Sequence, residues 1–167
     1  MTKICLLSDT HGHVDDRMLE LAAESDEVWH AGDFGSEVVE KFSSFKIFRG
    51  VYGNIDGHIL RSQFPEYSCF TIDKLSVLMI HIAGPFGSYT PQVRKLLEEY
   101  RPQLLVCGHS HILKVQHDQK RNVMYMNPGA AGKHGFHKVR TMLRFTISGD
   151  KLENLEAIEL GMRGAIQ

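Results

Sequence analysis

Residues 4–13 read Ile-Cys-Leu-Leu-Ser-Asp-Thr-His-Gly-His, and the rest of the architecture can be worked out from them. Four apolar residues in a row, Ile4 to Leu7, are the pattern of a strand buried on both faces, as in a parallel sheet. The run stops on Ser8 and Asp9, so a carboxylate stands at the strand's carboxyl end. Val14, Met18, Leu21 and Ala22 then recur at helical offsets and share one face. Strand, loop and helix repeat downstream. Val28 and Trp29 lead into His30-Ala31-Gly32-Asp33, Val38, Val39 and Phe42 mark a second helix, and Lys46 to Val51 leads into Tyr52-Gly53-Asn54-Ile55-Asp56.

The second half changes character. Tyr67 to Ile72 and Leu75 to Ile80 are β-rich runs separated by Asp73 and Lys74, the spacing of a hairpin. Thr90 before Pro91 reads as an N-cap with a first-turn proline, and Val93, Leu96, Leu97 and Tyr100 form the stripe of the helix that follows. Leu104 to Cys107 is a further buried strand, ending at Gly108-His109-Ser110-His111. Lys114–His117, Val123–Met126, Met142–Ile147 and Leu152–Leu160 are the remaining strands, with turn signals between them, and an antiparallel tail is expected. No repeat, linker or charge block marks a boundary within residues 1–167, which read as a single domain. The fold class is α+β: a sandwich of two sheets flanked by helices.

Composition excludes several functions. The chain is 43% hydrophobic and 23% charged, so it can bury a core. With 19 basic against 20 acidic residues there is no global field to hold nucleic acid, and no basic, aromatic-rich stretch suggests a groove for it. Three cysteines, Cys5, Cys69 and Cys107, lack the spacing of a disulfide framework. Neither a signal-peptide pattern nor an apolar span near 20 residues is present, so a reducing cytoplasm is the expected location and no membrane is expected.

Five strand ends carry polar, glycine-flanked clusters, and strands of an open sheet deliver their carboxyl ends to one edge. Asp9 and His11, and likewise His109 and His111, are two apart, so an extended backbone would aim each pair at one place. Imidazoles, carboxylates and a carboxamide suit borderline divalent ions such as manganese, iron or zinc. Seven candidate ligands, Asp9, His11, Asp33, Asn54, His81, His109 and His111, exceed one tetrahedral site and fit two ions sharing a carboxylate, roughly 3.5 to 4 Å apart.

Asp-x-His, Gly-Asp, Gly-Asn, a strand-end His and Gly-His-x-His, in this order over residues 4–128, resemble the calcineurin-like metallophosphoesterase superfamily. The likeness extends to the small single-domain bacterial and archaeal phosphodiesterases, through Gly53-Asn54-Ile55-Asp56 and Asn127-Pro128-Gly129. It implies a four-layer αββα sandwich with two mixed sheets. It also implies two divalent ions, manganese first, with nickel, iron, zinc or magnesium as alternatives. Asp9, His11 and His111 would hold one ion, Asn54, His81 and His109 the other, and Asp33 would bridge them. A hydroxide between the ions would attack a small phosphodiester. A homodimer is expected by resemblance alone. The alternative is a metal-binding protein-interaction scaffold with little or no hydrolase activity, since a retromer subunit shares this fold.

The chain departs from the pattern at two positions. Larger phosphatases of the superfamily place a histidine directly after the motif asparagine, whereas Ile55 stands here and cannot donate a proton. That favours diesters with good leaving groups and leaves His58, His13, a metal-bound water or the substrate itself as candidate donors, His58 first. Ile82 follows His81 where small relatives usually have glycine. His134 and His137 read as solvated loop residues. Asp56 reads either as a partner orienting a ligand imidazole or as a cap for the next segment, and Asn127-Pro128-Gly129 either as a turn or as part of the site. An aspartyl-nucleophile phosphatase would need a second Asp where His11 stands, and a cysteine phosphatase would need Arg at Leu113, which leaves Cys107 to the core.

Overall fold

The computed structural model describes residues 1–164. Strand β1 (Thr2–Leu7) pairs parallel with β2 (Glu27–His30) and antiparallel with β9 (Val139–Ser148). With β3 (Ile47–Gly50) beside β2 and β10 (Lys151–Met162) beside β9, the first sheet runs β10-β9-β1-β2-β3. The second sheet runs β4-β5-β6-β8-β7, built from β4 (Tyr67–Ile72), β5 (Leu75–Ile80), β6 (Leu104–Val106), β7 (Leu113–Asp118) and β8 (Val123–Pro128). Both sheets are mixed.

Alternation along the buried strands builds the layers. Ile4 and Leu6 of β1 point into an interlayer core with Val77 and Met79 of β5 and Leu104 and Val106 of β6. Cys5 and Leu7 face the other way, against Met18, Leu21 and Ala22 of α1 (Asp16–Ala23) and Val38 and Phe42 of α2 (Ser36–Ser43). On the far side, Leu78, Ile80 and Leu105 meet Val93, Leu96 and Leu97 of α4 (Pro91–Tyr100). The result is the αββα sandwich, with Trp29 between the sheets packing edge-on against Phe70 and Phe145.

Local signals hold where they were strongest. Thr90 caps α4 by accepting a hydrogen bond from the Val93 amide at 3.2 Å, with Pro91 in the first turn. Asp73 and Lys74 turn the β4–β5 hairpin, Asp73 at φ 54°. Cys107 is buried, and burial pushes its thiol up to about 12, as expected of a core residue rather than a nucleophile.

The tail departs from expectation. Antiparallel pairing holds within β7–β8 and β9–β10, but β8 runs parallel to β6, and the tail divides between the two sheets. Helix α3 (His58–Gln63) was not expected, because six residues that bury only Leu60 carry no helical period.

Candidate metal centre

The loops leaving β1, β2, β3, β5 and β6 meet across the seam between the sheets. Their backbones are tied to one another: the amides of Asp9 and His11 donate to Gly32 O and Asp33 O at 3.0 and 2.9 Å, and the Gly108 amide to His81 O at 3.0 Å. Extended backbone is not what aims the paired ligands. Asp9, His11, Asp33, His109 and His111 all sit at positive φ, between 46° and 71°, so each pair converges through left-handed turns just beyond the strand. Each such residue costs on the order of 1 kcal/mol or more, and non-glycine residues of this kind cluster at functional sites.

Each carboxylate is held by one oxygen and presents the other. Asp9 Oδ2 accepts from the Ser8 hydroxyl at 2.6 Å and the His109 amide at 3.0 Å, while Oδ1 is buried without a hydrogen-bond partner. Around Oδ1 stand His111 Nε2 at 3.2 Å, His81 Nε2 at 3.8 Å and His11 Nε2 at 4.0 Å. Asp33 Oδ1 accepts from the Ile55 amide at 2.9 Å, and its Oδ2 lies 3.2 Å from His81 Nε2 and 3.9 Å from His11 Nε2. Burial works to raise the Asp9 carboxyl, but the His111 and His81 imidazoles beside it and the Ser8 hydrogen bond leave it below the usual range. Asp33 is likewise lowered, with His81 overriding burial. Gly53 is required here, because a Cβ would stand 2.1 Å from Asp33 Oδ1.

The imidazoles are oriented from behind. His81 Nδ1 donates to Ala31 O at 2.7 Å, which turns Nε2 towards both aspartates. His111 is set by a chain: His137 Nε2 donates to Gly132 O at 2.8 Å, so His137 Nδ1 accepts from His111 Nδ1 at 3.2 Å and His111 Nε2 is left free. Gly135 gives this contact room, since a Cβ there would lie 2.3 Å from His111 Nδ1. Asn54 Oδ1 is 3.1 Å from both His81 Nε2 and His109 Nδ1.

Among the described residues, two groups therefore have donor atoms close enough to share an ion: Asp9, His11 and His111, and Asp9, Asp33 and His81. The first is the trio named from the sequence. In the second Asp9 is shared, while Asp33 Oδ2 lies between His11 and His81, and Asn54 and His109 adjoin His81. Divalent ions fit this set on two grounds. Asp9 Oδ1 and His11 Nε2 are buried acceptors lacking any partner, which protein interiors rarely tolerate without one. The mixture of carboxylate oxygen and imidazole nitrogen suits borderline metals.

Around the centre stand residues that the sequence reading placed otherwise. Asp56 neither orients an imidazole nor caps α3, whose N-cap Gly57 has no side-chain bond; it is buried and accepts from the amides of Asp33, Phe34 and Gly53 at 2.8, 3.1 and 2.8 Å. Asn127 is part of the site's frame, donating to Gly108 O and Ser110 Oγ at 3.0 and 3.1 Å. His137 is not a solvated bystander, since it backs His111, while His134 is exposed as expected and lies beside His11 with ring centroids 4.9 Å apart. Their signal was in the sequence, as Gly132-Lys133-His134-Gly135-Phe136-His137 repeats the glycine-flanked histidine pattern of the other clusters. His58 is exposed at the start of α3 and lines none of the clefts around the centre, while His13 Nε2 is occupied with Asp15 at 3.1 Å. Ile55 stands exposed at the cleft beside Asn54 and His109.

Residues 2–150 match the family model described as the calcineurin-like phosphoesterase superfamily domain. No curated protein matches the chain. Among solved structures, an archaeal phosphodiesterase is similar at TM-score 0.75 and 20% identity, over 95% of this chain and 99% of that one. Vps29 of Entamoeba histolytica complexed with zinc gives 0.73 and 14%, over 97% and 99%. A predicted phosphoesterase of Streptococcus pneumoniae gives 0.69 and 19%, over 95% and 89%.

Proposed function

From the premise that the chain belongs to the calcineurin-like phosphoesterase superfamily, we propose that it is a metal-dependent phosphodiesterase working at the centre between the two sheets. The carrying observation is that Asp9 Oδ1 and His11 Nε2 are buried, unpartnered and ringed by further ligand-type atoms. The proposed holders are Asp9, His11 and His111 for one ion and Asn54, His81 and His109 for the other, with Asp33 between them. Two divalent ions supply, when bound, an acidified water and positive charge for a phosphoryl oxygen. The chain's own part is placement. Ser8, the His109 amide and the Ile55 amide fix the carboxylates, and Ala31 O and His137 fix two imidazoles so that their Nε2 atoms face inward.

A diester rather than a monoester is proposed because of what stands beside Asn54. Ile55 is 66% exposed at the cleft and can give no proton, so a leaving group of low pKa suits the site. The proposal includes a single domain over residues 1–167, a cytoplasmic location, a small phosphodiester substrate, manganese as the ion to try first and a homodimer. It is tested with metal-stripped protein resupplied in turn with manganese, nickel, zinc and magnesium, using bis-p-nitrophenyl phosphate beside p-nitrophenyl phosphate. Faster turnover of the diester is expected. Stoichiometric metal binding with no turnover would favour the scaffold reading, which the likeness to Vps29 keeps in play.

A further inference from the structure

We infer that the apolar cleft beside His109 receives an aromatic ring carried by the phosphodiester, so that the substrate is an aromatic-bearing diester rather than a purely aliphatic one. The inference rests on the phosphodiesterase reading and adds the class of substrate to it. The cleft, about 420 Å³, has the size usual for a small-molecule site. Gly108, His109 and Ser110 line it, the loop whose His109 amide holds Asp9 Oδ2, so the cleft adjoins the candidate metal centre at His109. Its walls are Ile82, Pro85, Phe86, Ile112 and Tyr125.

These walls are firm and suited to a ring. Phe86 meets Tyr125 edge to face at 5.4 Å and 83°, and Tyr125 stacks on Tyr89 at 6.3 Å, whose hydroxyl is tied to Asp118 at 2.9 Å. Aromatic pairs prefer such edge and offset contacts, and a ring entering beside Phe86 extends the set. Ile82 and Ile112, which both line the cleft, are 37% and 65% exposed, apolar surface left to water next to a polar centre. Lys114 Nζ stands 4.9 Å over the Phe86 ring, a cation at the rim for the π-face of an entering ring. The cleft on the other flank of the centre is more mixed: Arg61, Glu66 and Gln92 line it together with Tyr52, Ile82 and Pro91, beside Asn54 and His81.

The test is binding to manganese-loaded protein, read by calorimetry with phenylphosphonate and methylphosphonate, which share the metal-binding group and differ in the ring. Phenylphosphonate should bind about tenfold tighter or more, from burial of the ring. Phe86→Ala with Ile112→Ala should bring the ratio of the two affinities near one. Ile112→Ala alone, at an exposed side chain, should reduce it severalfold and keeps the test open where the Phe86 variant fails to fold. Equal affinities for wild type, or a preference that survives in both variants, overturns the inference, as does binding of neither phosphonate. A clear ring preference without hydrolysis of bis-p-nitrophenyl phosphate would instead remove the hydrolase reading and leave the cleft standing.

Discussion

Replacing Asp56 by Asn changes one atom and tests how the site's loops are held. The carboxylate accepts three backbone amides, from Asp33, Phe34 and Gly53, at 2.8, 3.1 and 2.8 Å, and the residue is buried. An amide keeps one oxygen. If that oxygen stays with Asp33 and Gly53, its NH2 group faces the Phe34 amide, and a buried donor is left opposing another donor. Hydrogen bonds to a charged acceptor contribute about 1.5–3 kcal/mol and neutral ones about 1, while an orphaned donor costs about 1–3, so Asp56→Asn should cost roughly 3–5 kcal/mol. For a chain of this length that lowers Tm by about 10 °C. Differential scanning calorimetry of the metal-free protein reads the loss directly. Because the Asp33 amide is one of the three donors, manganese affinity measured by titration should fall at least tenfold as well. A Tm within about 3 °C of wild type, with unchanged affinity, would refute the three-amide clamp as the element that places Asp33.

The other expectations concern groups nearer the ions. His137→Ala should weaken manganese binding by about 10–100-fold without unfolding the protein, with His137→Asn in between; equal affinity for all three by calorimetry would break the Gly132–His137–His111 chain. Gly53→Ala puts a methyl 2.1 Å from Asp33 Oδ1 and should abolish turnover of bis-p-nitrophenyl phosphate, whereas wild-type rates would show that the loop yields. His30 is fully buried between the Thr10 hydroxyl and the Gly32 amide, and burial holds its imidazole down at about 3. A depressed folded value means that the unfolded chain takes the proton first, so His30 lowers stability as pH falls from about 6.5 towards 3 and has no effect above that window. Wild type should therefore lose stability faster than His30→Gln across that window in urea titrations, and parallel curves would count against it. Saturating manganese at a hundredfold over its Kd should raise stability by about 2.7 kcal/mol per site, read as a higher urea midpoint.

The sequence revealed the strands that end in ligands because burial on both faces writes a continuous apolar run, as Ile4 to Leu7 and Leu104 to Val106 do. It revealed the seven candidate ligands because strand ends share an edge. What it concealed has physical causes. Nothing in Asp-x-His says that the backbone turns left-handed, since the preference belongs to the loop's tertiary ties and not to the residue. The role of Asp56 depends on amides from two other segments, which no local pattern can report. The parallel β6–β8 pairing needs a crossover choice that strand periodicity leaves open. Helix α3 is too short to write a period at all.

The seam between the sheets has one more consequence. Asp9, His11, Asp33 and Asn54 come from one slab and His81, His109 and His111 from the other, so ions held as proposed would rivet the two slabs at one end. The far end is tied differently, by hydrogen bonds between turns: the Lys74 amide donates to Gly149 O at 3.0 Å and the Gly149 amide to the Asp73 carboxylate at 2.6 Å. Metal affinity then works as a caliper on slab spacing: cutting the remote tie with Asp73→Ala should loosen the grip on the ions, and loading the ions should quiet sliding of one slab over the other throughout the length of the sandwich.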